Sequence, residues 1–144
     1  MSGIPRVLFV CVGNSCRSQL AEALARHHGA GRIEAASAGT HPAGAVSRGA
    51  LEVLGERGID TSSLRSKGLD EVDIHSFDRV IAMGCHPVDE ICPARYAGRK
   101  EDWDIPDPIG QPAEVYRRTR DLVERKVLDL LDRIGRAPAR REEG

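Results

Sequence analysis

Cys11 and Arg17 are separated by the five residues "VGNSC", where an apolar run gives way to a helical pattern. A thiol and a guanidinium at that spacing suit attack on a tetrahedral oxyanion. In an open α/β sheet, ligands sit beyond the carboxyl ends of the strands, and Cys11 stands at such an end. The helix N-terminus that follows offers unpaired N–H groups and the positive end of a dipole, both of which attract anions. Arg17 adds a planar fork of donors. The same positive field favours a thiolate over a thiol at Cys11. Gly13 permits an unusual backbone turn, and Asn14 tolerates left-handed geometry. One loop therefore combines a nucleophile with an anion cradle.

The elements that must position this loop are legible on either side of it. "RVLFV" (6–10) reads as a short buried strand, and "SQLAEALARHHG" as a helix with Leu20, Ala21, Leu24 and Ala25 on one face, stopping at Gly29. "IEAAS" (33–37) is a weaker second strand and "FDRVIAM" (77–83) a third. "VSRGALEVLGERG" has helical spacing, "LDEVDIHSF" suits a short helix, and the longest helix runs from Ala113 to Ile134. Alternating strands and helices predict a parallel sheet. Gly84 to Pro112 has little periodicity and holds five of the eight prolines, together with Cys85, Cys92, Trp103 and Asp107. Long unpatterned segments in compact domains are often functional.

The 144 residues suit one hydrophobic core. Aromatics are only 3%, so Leu, Val, Ile and Ala must build it. A net charge of −1 provides no basic field for nucleic acid. No apolar run is long enough to span a bilayer, and "MSGIPR" lacks a signal-peptide core, so a cytoplasmic location is expected. Four cysteines in a reducing compartment point to catalysis, redox exchange or metal. Cys85 and Cys92 also fit buried small hydrophobes. The C-x2-C metal spacing is absent, and His86 is a poor chelate partner for its neighbour Cys85.

Cys11-x5-Arg17-Ser18 has the pattern of the protein tyrosine phosphatase loop, and "VCVGNSCRS" followed by "ASAGT" resembles its low-molecular-weight branch. The resemblance implies a flavodoxin-like three-layer αβα sandwich, a four-stranded parallel sheet with helices on both faces. It implies one domain over residues 1–134, and the charged "GRAPARREEG" that follows reads as a flexible tail at 135–144. It assigns oxyanion binding to Val12, Gly13, Asn14, Ser15, Cys16, Arg17 and Ser18. Ser18 would hydrogen-bond Cys11, and Asn14 would lock the loop. The catalytic acid would be the aspartate of Asp107-Pro108, which otherwise reads as a turn residue. Asp104 is followed by Ile105 and does not match.

"MGCHPVDEICP" further resembles arsenate reductases of this fold that couple to thioredoxin, over residues 6 to about 134. In the implied scheme Cys11 attacks arsenate and Asp107 protonates the leaving hydroxide. Cys85 then attacks Cys11, releasing arsenite and leaving a Cys11–Cys85 disulfide. Cys92 moves it to Cys85–Cys92 near the surface, for thioredoxin to reduce. Phosphate or sulfate would mimic the substrate. Cys16 has no role in turnover. Some members hold potassium through an asparagine, a glutamate, a serine and an aspartate. The first three match Asn14, Glu22 and Ser37, but the fourth falls on Lys67, whose ammonium can replace the cation and pair with Glu22. Neither a metal nor a bound cofactor is expected, and the chain is read as a monomer without membrane or nucleic-acid partners.

Two other readings stay open. A low-molecular-weight phosphatase would hydrolyse phosphotyrosine through a Cys11 phosphocysteine, although Ile109 and Gly110 stand where that branch usually has tyrosines. An anion-binding redox sensor would use the Cys85–Cys92 pair but has no need of Asp107. Mycothiol is an alternative reductant, against which the presence of Cys92 argues.

Overall fold

Alternation along β1 decides how the chain is layered. In the computed structural model, which describes residues 3–135, β1 (Arg6–Cys11) sends Val7, Phe9 and Cys11 to one face of a sheet and Leu8 and Val10 to the other. It pairs in parallel with β2 (Glu34–Gly39) and β3 (Arg79–Ala82), and β3 pairs with β4 (Arg99–Asp102), giving the order β2-β1-β3-β4. β1 lies inside the sheet and is apolar on both faces, as a parallel strand covered on both sides must be.

The first face is covered by α1 (Arg17–His28), α2 (Arg48–Gly55) and α4 (Ala113–Gly135). Leu20, Leu24, Leu54, Val123, Val127 and Leu130 are buried there with Phe9 and Ile81. The second face is covered by 3-10 turns at Leu69–Glu71 and Ile74–Ser76 and by the four-residue helix α3 (Val88–Ile91), which bury Leu8, Val10, Val80 and Ala82. The flavodoxin-like architecture expected from the sequence is therefore present, with one face covered by long helices and the other by short ones. The face that α4 buries is made by Tyr116, Thr119, Arg120, Val123, Val127, Leu130 and Leu131, and α4 ends at Gly135, one residue beyond the expected limit. The remainder of the charged tail, 136–144, lies outside the described residues. Among the described residues no helix is long and apolar enough to cross a membrane.

The segment 84–112 corrects the sequence reading, because it contains both α3 and β4. β4 is "RKED", an edge strand whose partners are backbone groups of β3, and charged edges deter further pairing. It leads into Trp103, which is buried against Phe9 with ring centroids 5.6 Å apart and donates from Nε1 to Glu101 Oε1 at 2.7 Å.

α2 and α4 meet closely at Gly49, where a Cβ would stand 2.5 Å from Cε1 and Cζ of Tyr116. Alanine normally stabilises a helix by about 1 kcal/mol relative to glycine. Here Gly49→Ala should instead destabilise by about 1–3 kcal/mol through overpacking. In a Tyr116→Ala background the same change should become neutral or stabilising, as a urea-denaturation double-mutant cycle would measure.

Candidate active site

The loop between β1 and α1 is held by its carbonyls. Cys11 O accepts from Thr40 N (3.1 Å), Val12 O from His41 N (2.8 Å), Ser15 O from Ser47 N (2.7 Å) and Cys16 O from Leu20 N (2.8 Å). Gly13 O accepts from both Ala43 N (2.9 Å) and Ser66 Oγ (3.0 Å), and Asn14 O from Gln19 Nε2 (2.9 Å). A trans peptide points its C=O and N–H in opposite directions. Tying each carbonyl outward therefore turns the following N–H groups to the inner side, where successive amides make an anion-binding concavity. The first turn of α1 opens from its rim, with Arg17 as its first residue.

The left-handed step lies at Asn14, with φ 48°, and not at Gly13, which has no positive φ. The glycine that the loop needs is Gly39, at the end of β2. A Cβ there would stand 2.5 Å from Val12 O and 2.9 Å from Asn14 N. This close approach explains the glycine of "ASAGT".

Asn14 is fully buried and acts as a hub. Its Nδ2 donates to Ser18 Oγ (2.8 Å), and its Oδ1 accepts from Lys67 N (2.9 Å) and Gln19 Nε2 (3.0 Å). Ser18 Oγ lies 2.9 Å from Cys11 Sγ. Since Oγ already accepts from Asn14, its proton is free to point at the sulfur. Gln19, which sequence reasoning passed over, also donates to Arg65 O at 2.9 Å. Its only sequence signal is a glutamine within the buried run of α1.

Arg17 is buried up to its guanidinium. Nη1 donates to Met83 O (3.2 Å) and Ile105 O (3.0 Å), and Nη2 is 3.9 Å from Asp107 Oδ2. Of the two candidate aspartates, Asp107 is thus the one beside Arg17. It is exposed, and its Oδ1 accepts from Ile109 N at 3.1 Å. Asp104 instead lines an open cleft with Cys85, His86, Pro87 and Asp102.

The four thiols are all free and differ in setting. Burial pushes the Cys16 thiol up to about 12, helped by the charges of Asp107 and Cys11 and opposed by Arg17. Cys16 therefore stays protonated beside Cys11. Cys85 is half-buried against the first-face core. Burial and the neighbouring Cys11 raise its pKa, while Arg17 and the N–H groups of His86 and Val12 oppose the rise. The structure thus brings together Cys11, Arg17, Asp107 and Cys85. Cys92, as a free thiol, lies elsewhere, buried in the second-face cluster. Burial, with the charge of Asp89, raises its pKa, and Lys100 opposes it.

Beneath the loop, Glu22 is 1% exposed. It accepts from Ser37 Oγ at 2.5 Å and pairs with Arg26 at 2.6 Å, and Lys67 Nζ approaches Glu22 Oε1 to 4.0 Å. Burial lowers the Lys67 pKa and Glu22 counteracts this. Two side-chain cations already serve this carboxylate, so the residues do not fit a potassium site. Among the described residues no three His, Cys, Asp or Glu side chains gather as metal ligands.

The hub and the left-handed backbone at Asn14 can be separated. Asn14→Ala should cost at least about 2 kcal/mol, from lost buried hydrogen bonds and left-handed strain, and should slow alkylation of Cys11. Asn14→Gly should recover only the backbone part and fall between alanine and wild type in denaturant stability, with Cys11 alkylation still slow.

Comparison with known proteins agrees with this geometry. Residues 6–140 match the family described as low molecular weight phosphotyrosine protein phosphatase. The chain is 36% identical over 132 residues to a glutaredoxin arsenate reductase of Synechocystis sp., covering 90% of this chain and 98% of that one. A solved arsenate reductase in the phosphate binding state superposes with a TM-score of 0.81 at 36% identity, covering 91% of this chain and 99% of its own. A thioredoxin-dependent arsenate reductase of Corynebacterium glutamicum superposes with a TM-score of 0.77 at 32% identity, covering 92% of this chain and 62% of that one. With its thiol loop, its flavodoxin-like sheet and a match spanning nearly the whole described chain, this protein belongs to the low molecular weight phosphotyrosine protein phosphatase family.

Proposed function

We propose that this protein reduces arsenate to arsenite through a three-thiol relay, with thioredoxin reducing the final disulfide. One observation carries the reading. Cys85 packs against the same first-face cluster that holds Cys11, near enough for the charges of Cys11 and Arg17 to act on its thiol, so a second thiol stands at the loop that cradles the oxyanion. Phosphate-ester hydrolysis has no use for it. The printed activities of the Synechocystis and Corynebacterium relatives support the same reading.

The steps use groups already described. The inner amides of residues 12–18 and Arg17 bind the arsenate oxygens while Cys11 Sγ attacks arsenic. Asp107 supplies the proton with which a hydroxide leaves as water. Cys85 then attacks Cys11 Sγ. The S–As electron pair stays on arsenic, which departs as arsenite, and a Cys11–Cys85 disulfide forms. Ser18 is placed to stabilise the Cys11 thiolate at the start, and again when Cys92 attacks Cys85 and expels it. The resulting Cys85–Cys92 disulfide is reduced by dithiol exchange with thioredoxin. Such a relay suits the reducing cytoplasm.

A second reading follows from the intact set of Cys11, Arg17, Ser18 and Asp107. The same loop would hydrolyse small aryl phosphates through a Cys11 phosphocysteine, as a side activity.

Wild-type protein with thioredoxin, its reductase and NADPH should consume NADPH steadily when arsenate is added, and Cys92→Ser should stop after about one turnover. No arsenate turnover in wild type, alongside brisk aryl-phosphate hydrolysis, would overturn the relay and leave a phosphatase.

A further inference from the structure

Cys85 packs against the first-face core and Cys92 is buried in the second-face cluster, with α3 between them in the chain. Cys92 closes α3, because its N–H donates to Val88 O at 3.0 Å. A bond between the two sulfurs needs this turn to open. Four helical residues have almost no stability of their own, since the first turn fixes several dihedrals for one hydrogen bond. Something else must keep α3 closed.

Besides the packing of Val88 and Ile91 on the second-face cluster, two polar contacts do so, both from β4. Asp102 Oδ1 accepts from Val88 N at 2.8 Å, capping the N-terminal end of α3 from another element. Lys100 Nζ donates to Asp89 Oδ1 at 2.6 Å, tying the exposed side of α3 to the same strand. No residue within α3 provides a side-chain cap, and its preceding residue is Pro87. Asp102 also lines the cleft that Cys85 lines, so its carboxylate stands at the end of α3 nearest Cys85.

We propose that Asp102 and Lys100 are positioning residues that latch α3 shut and set how fast Cys92 becomes available to Cys85. The latch stands on these contacts alone, and its effect on arsenate reduction rests on the relay reading. In that reaction the Cys92 thiolate attacks Cys85 Sγ of the Cys11–Cys85 disulfide. The Cys85–Cys92 bond forms, Cys11 leaves as a thiolate, and the oxidation level is conserved without an outside reagent.

The test is N-ethylmaleimide labelling of the fully reduced, folded protein, with each thiol quantified by peptide mass spectrometry. Cys16, also buried but in the oxyanion loop, reports openings unrelated to α3. Asp102→Ala should raise Cys92 labelling relative to Cys16 by about tenfold, as expected for loss of a hydrogen bond to a charged acceptor. Asp102→Asn keeps an oxygen that can accept from Val88 N and should label like wild type. Cys92 labelling that rises no more than that of Cys16, or that asparagine fails to restore, would overturn the latch. Should Asp102→Ala not fold, Lys100→Met serves instead. Hydrogen exchange of the Cys92 amide should then quicken severalfold, and an unchanged rate would overturn the proposal. In a single turnover with arsenate, Asp102→Ala should speed conversion of Cys11–Cys85 to Cys85–Cys92 without changing formation of the first disulfide. If wild type forms no Cys11–Cys85 disulfide with arsenate while the labelling difference persists, the relay falls and the latch stands.

Discussion

The outward anchoring of six consecutive carbonyls, Cys11 to Cys16, is the constraint on which the rest of the structure depends. An anion site made of backbone amides works only if those amides cannot rotate to find partners of their own. Here the acceptors that would compete for them are already engaged by residues 40–47, Ser66, Gln19 and Leu20. The cost of aligning several dipoles of like sense is met during folding, by a core in which β1 and α1 are buried along nearly their whole length. Binding then asks for little reorganisation, which is the source of electrostatic stabilisation in preorganised sites.

Charges are arranged around that frame in layers. Ser18 and Asn14 sit under the sulfur, and Glu22 with Arg26 and Lys67 forms a compensated group deeper still. A buried carboxylate is tolerable only when paired and hydrogen-bonded, and Glu22 has both. At the open side, Arg17 bonds the carbonyls of Met83 and Ile105, thereby joining the end of β3 to the segment that carries Asp107. Cys11, Asp107 and Cys85 come from three separate stretches of chain, and Arg17 is the side chain that touches the backbone leading to two of them.

The sequence made the loop legible because its chemistry is local. Cys11, Arg17 and Ser18 lie within eight residues, and the apolar run before them marks a strand end. The three strands with apolar runs were readable for the same reason. β4 was not: "RKED" gains its conformation from the backbone of β3 and carries no hydrophobic period. The tolerance of Asn14 for left-handed geometry is legible from residue type, but what holds Asn14 there is not, because its side chain bonds residues 18, 19 and 67 in that conformation. Gln19 and Asp102 act through partners far away in sequence, so residue type alone gives little warning of them. Similarly, the seven-residue spacing of Cys85 and Cys92 gives no sign that a sheet separates their environments.

That separation governs which oxidants the protein can ignore. A dithiol held ready in contact is cross-linked by any mild oxidant that reaches it. In this fold the two thiols are kept in different compartments of one small core, and the pKa of each is raised. Stray peroxide meeting Cys85 therefore does not find Cys92 poised beside it. Under the relay reading, selectivity for an incoming oxyanion is in this sense partly mechanical: the reducing equivalents of Cys92 stay out of reach until a local structural change releases them.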